Sequence, residues 1–95
     1  MFVVLLKFSS NKSQASEFMQ GHNSWLQRGF DDGVFILAGS LQPKQGGTVL
    51  AHNISREALE ERLGQDPFVK EDVVAPEILE ITPSKVSQEL AFLMP

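Results

Sequence analysis

The sequence contains no cysteine, which excludes disulfides, thiol nucleophiles and thiolate metal sites together. It contains no basic run and no arginine-rich face. Lys and Arg number 8 against 12 Asp and Glu, for a net charge of −4, a balance that disfavours binding driven by nucleic-acid phosphates. No segment approaches the roughly 20 apolar residues that span a bilayer. The opening run MFVVLLKF is too short for a secretory core, and no basic region precedes it. No phosphate-binding glycine loop, nucleophile elbow or metal-ligand spacing is present. The expectation is a cytoplasmic protein with no cofactor and no metal, and with neither a membrane nor a nucleic acid as partner.

The rest is ordinary globular material. The chain has 95 residues, of which 42% are hydrophobic and 21% charged. That is one small domain. A core of this size leaves a modest stability margin, so an oligomer that buries more surface would be unsurprising.

Phe2 to Phe8 reads as a strand covered on both faces. From Ala15 to Asp32 the period changes. Ala15, Phe18, Met19, His22, Trp25, Leu26, Gly29 and Phe30 recur at spacings of three and four, one stripe on a helix of about five turns. Ser10 and Ser13 are candidate N-caps, and Gly33 is a natural terminator. Val34 to Leu41 is a second buried-strand signal. The cluster QPKQGG reads as a hairpin turn, leading into a third strand from Thr48 to Ile54. Ser55 caps a helix over Arg56–Leu63, with Ile54 and Leu59 at the spacing of a hydrophobic staple, and Gly64 ends it. Ala75 to Pro83 is a fourth strand. The apolar tail, residues 84–95, suits helical or extended structure and a packing role at a subunit contact.

The order strand–helix–strand–strand–helix–strand predicts an α+β fold over residues 1–83. Its simplest form is the ferredoxin-like βαββαβ arrangement, a four-stranded antiparallel sheet with both helices on one face. The strands look apolar on both sides. A second copy packed on the open face would give a dimeric α+β barrel.

Two residues stand out chemically. His22 is the one titratable member of the apolar helix stripe. It reads either as a hydrogen-bonded core histidine or as a general acid or base, the role for which imidazole is best suited near neutral pH. Asp66 precedes Pro67 in the stretch GQDPF. Asp as cap and Pro at the first helical position is a common helix start. An aspartate can equally hold an imidazole in one tautomer and stabilise its cation. Spacing alone does not require these two residues to meet. Ser40, Phe68 and Trp25 are candidate substrate contacts, and for Trp25, as for Phe30, a core role competes. His52 reads as a strand polar residue, Glu60 and Glu61 as the wet side of the second helix.

Taken together, the initial strand, the first-helix histidine, LAGSL at the second strand end and DPF after the second helix resemble the YciI-like (YCII-related) family. The resemblance spans roughly residues 1 to 83. It implies a ferredoxin-like fold, a dimeric α+β barrel, and a cleft with His22 as acid/base and Asp66 as its orienting partner. Ser40 departs from the pattern, since many relatives carry proline after Ala-Gly, and the tail beyond Pro83 has no shared counterpart. The expected function is cofactor-free proton transfer on a small organic molecule, of the isomerase or dehydrohalogenase type. The alternative is a non-catalytic small-molecule-binding or structural accessory protein of the same fold.

Overall fold

Phe2–Phe8 forms β1, a central strand that pairs with a neighbour on each side. In the computed structural model, which describes all of residues 1–95, the sheet has four strands in the order β2-β3-β1-β4. They span Phe35–Leu41 (β2), Gly46–Ala51 (β3) and Val74–Glu80 (β4), and all pairs are antiparallel. Two main helices cross the sheet, α1 over Ala15–Asp31 and α2 over Arg56–Leu63. A third, short helix, α3, spans Pro67–Lys70. This is the ferredoxin-like α+β arrangement.

Strand pleating sorts the side chains of β1. Phe2, Val4 and Leu6 are buried beneath the helices, while Val3, Leu5 and Lys7 point to the other face. Register extends that division across the sheet. Val4 lies opposite Val49 and Ile78, and Phe2 lies opposite Ala51, which in turn faces Phe35. Trp25 of α1 closes the core at the Phe35 end, its ring edge-on to Phe35 at 5.1 Å between centroids. Leu59 and Leu63 of α2 complete it. Trp25 also donates its indole N–H to the carbonyl of Arg62 at 2.9 Å, tying α1 to the end of α2. Burying each such apolar side chain contributes about 1.5–3 kcal/mol.

Only 15 of 95 residues are fully buried, and Leu37 and Leu79 on the open sheet face are 47% and 43% exposed. The expectation that the strands are covered on both sides therefore fails within one chain. β2 shows it most: Phe35 alone is buried, because β2 is an edge strand and no element covers its other face.

Other boundaries shift for local reasons. Neither Ser10 nor Ser13 caps α1. A 3₁₀ turn over Lys12–Gln14 runs directly into the helix, whose N-cap position is Gln14 without a side-chain bond. Gly46 and Gly47 belong to β3, opposite Lys7 and Leu6. A Cβ at Gly46 would lie 2.1 Å from the Leu6 carbonyl oxygen, and its φ is +128°, so glycine is required for the ladder to close there. β3 ends at Ala51 because the amide of His52 turns to the Val34 carbonyl and Asn53 adopts φ +54°. β4 spans only to Glu80, and Ile81 closes the ladder by exchanging two hydrogen bonds of 2.9 Å with Met1. Pro76 is tolerated inside it because β4 is an edge. The tail forms a 3₁₀ helix over Gln88–Leu93 with no buried residue. It touches the body through Phe92, whose ring meets that of His52 at 5.5 Å between centroids, and the radius of gyration of 13.5 Å exceeds the roughly 12 Å of a compact chain this long.

Gly29 marks the closest approach of α1 to the sheet. An added Cβ would sit 2.0 Å from the Phe35 ring. Gly29→Ala gains about 1 kcal/mol of helix propensity, yet overpacking of this kind costs 1–3 kcal/mol or more. Urea denaturation of Gly29→Ala is expected to show a net loss on the order of 1–2 kcal/mol.

Candidate active site

The site begins at a helix start. Gly64 ends α2, and the chain reverses through Gln65 into Asp66, whose extended backbone (φ −70°, ψ 123°) places it as the N-cap of α3 with Pro67 in the first turn. Asp66 Oδ1 accepts the backbone N–H of Phe68 at 3.0 Å. The carbonyl of Asp66 receives the amides of Val69 and Lys70 at 2.9 Å each. The cap expected of the Asp-Pro pair is therefore present. Unlike an ordinary cap, Asp66 is 0% exposed and is the one fully buried charged residue of the chain.

Its second partner comes from α1. His22 Nδ1 lies 2.9 Å from Asp66 Oδ1 and 3.0 Å from Oδ2. The carboxylate has no proton to give, so the Nδ1–H donates, shared between the two oxygens. The approach depends on Gly21, where a Cβ would lie 3.0 Å from the Pro67 ring. Phe68 then stacks on the imidazole, with centroids 4.0 Å apart and planes 6° from parallel. Cap, proline and phenylalanine of α3 thus act on one histidine ring.

The other ring nitrogen is free. His22 bonds to protein only through Nδ1, and no buried side-chain nitrogen or oxygen lacks a partner. Nε2 is therefore reachable from outside. His22 lines a cavity of about 380 Å³ between α1 and the sheet. The cavity exists because the floor beneath this end of α1 is made of small residues: Ala38 and Ser40 from β2, Gly47 from β3. At the other end of the same face, Phe35 and Trp25 fill the equivalent space. Leu6, Phe8, Met19, Leu26 and Phe68 supply apolar walls.

Of the residues singled out from sequence, His22, Asp66, Phe68 and Ser40 come together here, Asp66 behind the imidazole and the other three on the wall. Trp25 does not. It is 1% exposed, sits 5.8 Å from His22 between ring centroids, and belongs to the core. His52 lies away from the cavity, edge-on to Phe92 of the tail. Sequence reasoning missed Asn23, which adds an exposed amide to the wall beside His22, and the glycines of the floor. Adjacency to His22 was the one signal for Asn23. No Asp, Glu, Lys or Arg lines the cavity. Nowhere do three potential metal-ligating side chains converge.

A ferredoxin-like sheet with a histidine and a buried aspartate meeting above a small-residue floor defines the structural class. The chain belongs to the YCII-related domain family, whose pattern matches residues 1–84. Among solved structures it is similar to 5-chloro-2-hydroxyhydroquinone dehydrochlorinase (TftG) from Burkholderia phenoliruptrix AC1100 in complex with 2,5-dihydroxybenzoquinone, with a TM-score of 0.69 and 12% sequence identity over 85% of this chain and 93% of that one. At that identity the likeness is one of fold. No curated protein matches the chain.

The double role of Asp66 has a stability signature. Asp66→Ala removes the cap and strands the Nδ1–H of His22 in a buried place, and each unsatisfied group costs about 1–3 kcal/mol. Asp66→Asn keeps an acceptor for the Phe68 amide. Chemical denaturation is expected to show a loss of about 2–5 kcal/mol for alanine and distinctly less for asparagine.

Proposed function

We propose that the protein is a cofactor-independent enzyme that moves a proton on a small organic molecule, with His22 as acid/base and Asp66 as its orienting partner. The observation that carries this reading is the pairing itself: Nδ1 is committed to a buried carboxylate while Nε2 is accessible on a cavity wall. In that tautomer Nε2 is the basic nitrogen. It takes a proton from a carbon or hydroxyl of the bound molecule. The imidazolium that forms keeps its Nδ1–H on Asp66 and presents its face to Phe68, whose π-system attracts a cation. The proton then returns to another atom of the substrate, which is isomerisation. In the other outcome a leaving group departs with its electron pair, which is elimination of HX. Apolar walls suit a ring, and Asn23 and Ser40 offer hydrogen bonds to its oxygens. The dehydrochlorinase activity of the fold neighbour TftG supports the elimination arm.

A second reading is specifically favoured by the Asp66–Phe68 amide bond: Asp66 caps α3, His22 satisfies its second oxygen, and the cavity binds a ligand without converting it. The two readings differ in kinetics. Chloride release from chlorinated hydroquinones and isomerisation of unsaturated lactones are the assays. His22→Gln and Asp66→Asn are each expected to lower kcat by about 10²–10⁴ with the fold retained. Turnover that survives both substitutions overturns the catalytic reading.

We further propose that the protein is a homodimer in which a second copy covers the open sheet face. Val3, Leu5, Leu37, Leu50 and Leu79 converge there by register, and contiguous apolar surface of this kind marks an interface. Sedimentation at micromolar concentration is expected to give one species of twice 10.5 kDa. A species at the single-chain mass contradicts the dimer.

A further inference from the structure

The inner cavity does not end at Ser40. Phe8, Ser40 and Gly46 are shared with an outer groove of about 440 Å³ that continues toward the β2–β3 turn. The chemistry changes across those shared residues. The inner walls carry no Asp, Glu, Lys or Arg. The outer groove is lined by Lys12 and Lys44, with Gln42, and by no carboxylate. Neither lysine takes part in an ion pair, whereas Lys7, Arg56 and Arg62 each do. The Asp72 carboxylate accepts the Ser9 hydroxyl at 3.1 Å and does not line the groove.

Lys12 is held by an aromatic contact, and Lys44 is placed at the β2–β3 turn by its backbone. The Lys12 ammonium rests 4.8 Å from the centre of the Phe8 ring, a contact that fixes the cation without neutralising it. Lys44 occupies the left-handed region at φ +50°, where a side chain with a Cβ costs about 1–2 kcal/mol relative to glycine. In a chain of net charge −4, two uncompensated ammonium groups at the mouth of an apolar cavity form a local positive site.

We propose that the outer groove is a subsite for an anionic group, so that the natural ligand is a ring compound carrying a carboxylate or comparable oxyanion on the side away from His22. This rests on the catalytic cavity reading and adds to it the class of substrate. Lysine is a point charge without the fork of arginine, so the site selects charge more than the geometry of a particular oxyanion.

The test is equilibrium binding of 2-naphthoate, 2-naphthalenesulfonate and the neutral 2-naphthamide to the full chain at low salt. Backbone amide NMR shifts of Gly39 and Gly47 report entry into the cavity. Wild type is expected to bind both anions about tenfold more tightly than the amide, the size of one modest charge interaction near a surface. In Lys12→Gln/Lys44→Gln that ratio falls to about one, while naphthamide affinity changes less than about twofold. Equal affinities in wild type, a ratio unchanged by the double substitution, or no binding of any probe at millimolar concentration overturns the subsite. The readout involves no proton transfer. Anion preference without turnover would therefore sink the catalytic reading alone, and turnover without anion preference would sink the subsite alone.

Discussion

A buried carboxylate is costly unless hydrogen bonds satisfy it, and the local architecture of this protein follows from satisfying one. Asp66 has no solvent exposure. The amide of Phe68 and the Nδ1–H of His22 meet its oxygens. Meeting those demands aligns α3 against α1, places a glycine at Gly21 where the two elements touch, and holds the imidazole parallel to Phe68. One constraint thereby fixes a tautomer, a ring plane and an accessible Nε2. A turn stiffened by proline is well suited to holding such a group still.

The cavity has a complementary origin. It arises from missing side chains, because Ala38, Ser40 and Gly47 leave unfilled the space that Phe35 and Trp25 occupy at the other end of the sheet. Packing and open volume are therefore divided along the strands. The large residues give stability at one end, and the small ones give volume at the other. The open sheet face divides the molecule in the perpendicular direction, with the helices and the site on one side and an apolar surface suited to a second copy on the other.

Much of this was legible from local chemistry. Ser55 and Gly64 bound α2 as their residue types predict, Gly33 ends α1 with φ +71°, and the Asp-Pro pair starts α3. These signals act within a few residues, so a linear reading captures them. The meeting of His22 and Asp66, 44 residues apart, was not dictated by spacing. It was suggested by one polar residue in an apolar stripe and by family resemblance. Register effects escaped the linear reading altogether. Gly46 and Gly47 look like a turn until the partner strand shows them paired with Lys7 and Leu6. Trp25 shares the stripe with His22 but points deeper, toward Phe35, so it packs the core and does not wall the cavity. The tail carries apolar residues without a clear period, and it folds as a 3₁₀ helix with nothing buried.

The central claim is that Asp66 makes His22 Nε2 a working base within the cavity. Its most direct measurement is deuterium exchange into the acidic C1 position of bound 2-tetralone, a neutral bicyclic ketone, followed by proton NMR in D₂O. The account predicts exchange faster than in buffer alone, reduced by about a hundredfold or more in Asp66→Asn and abolished in His22→Gln. Exchange no faster than buffer with the ketone bound, or unchanged by either substitution, would contradict it.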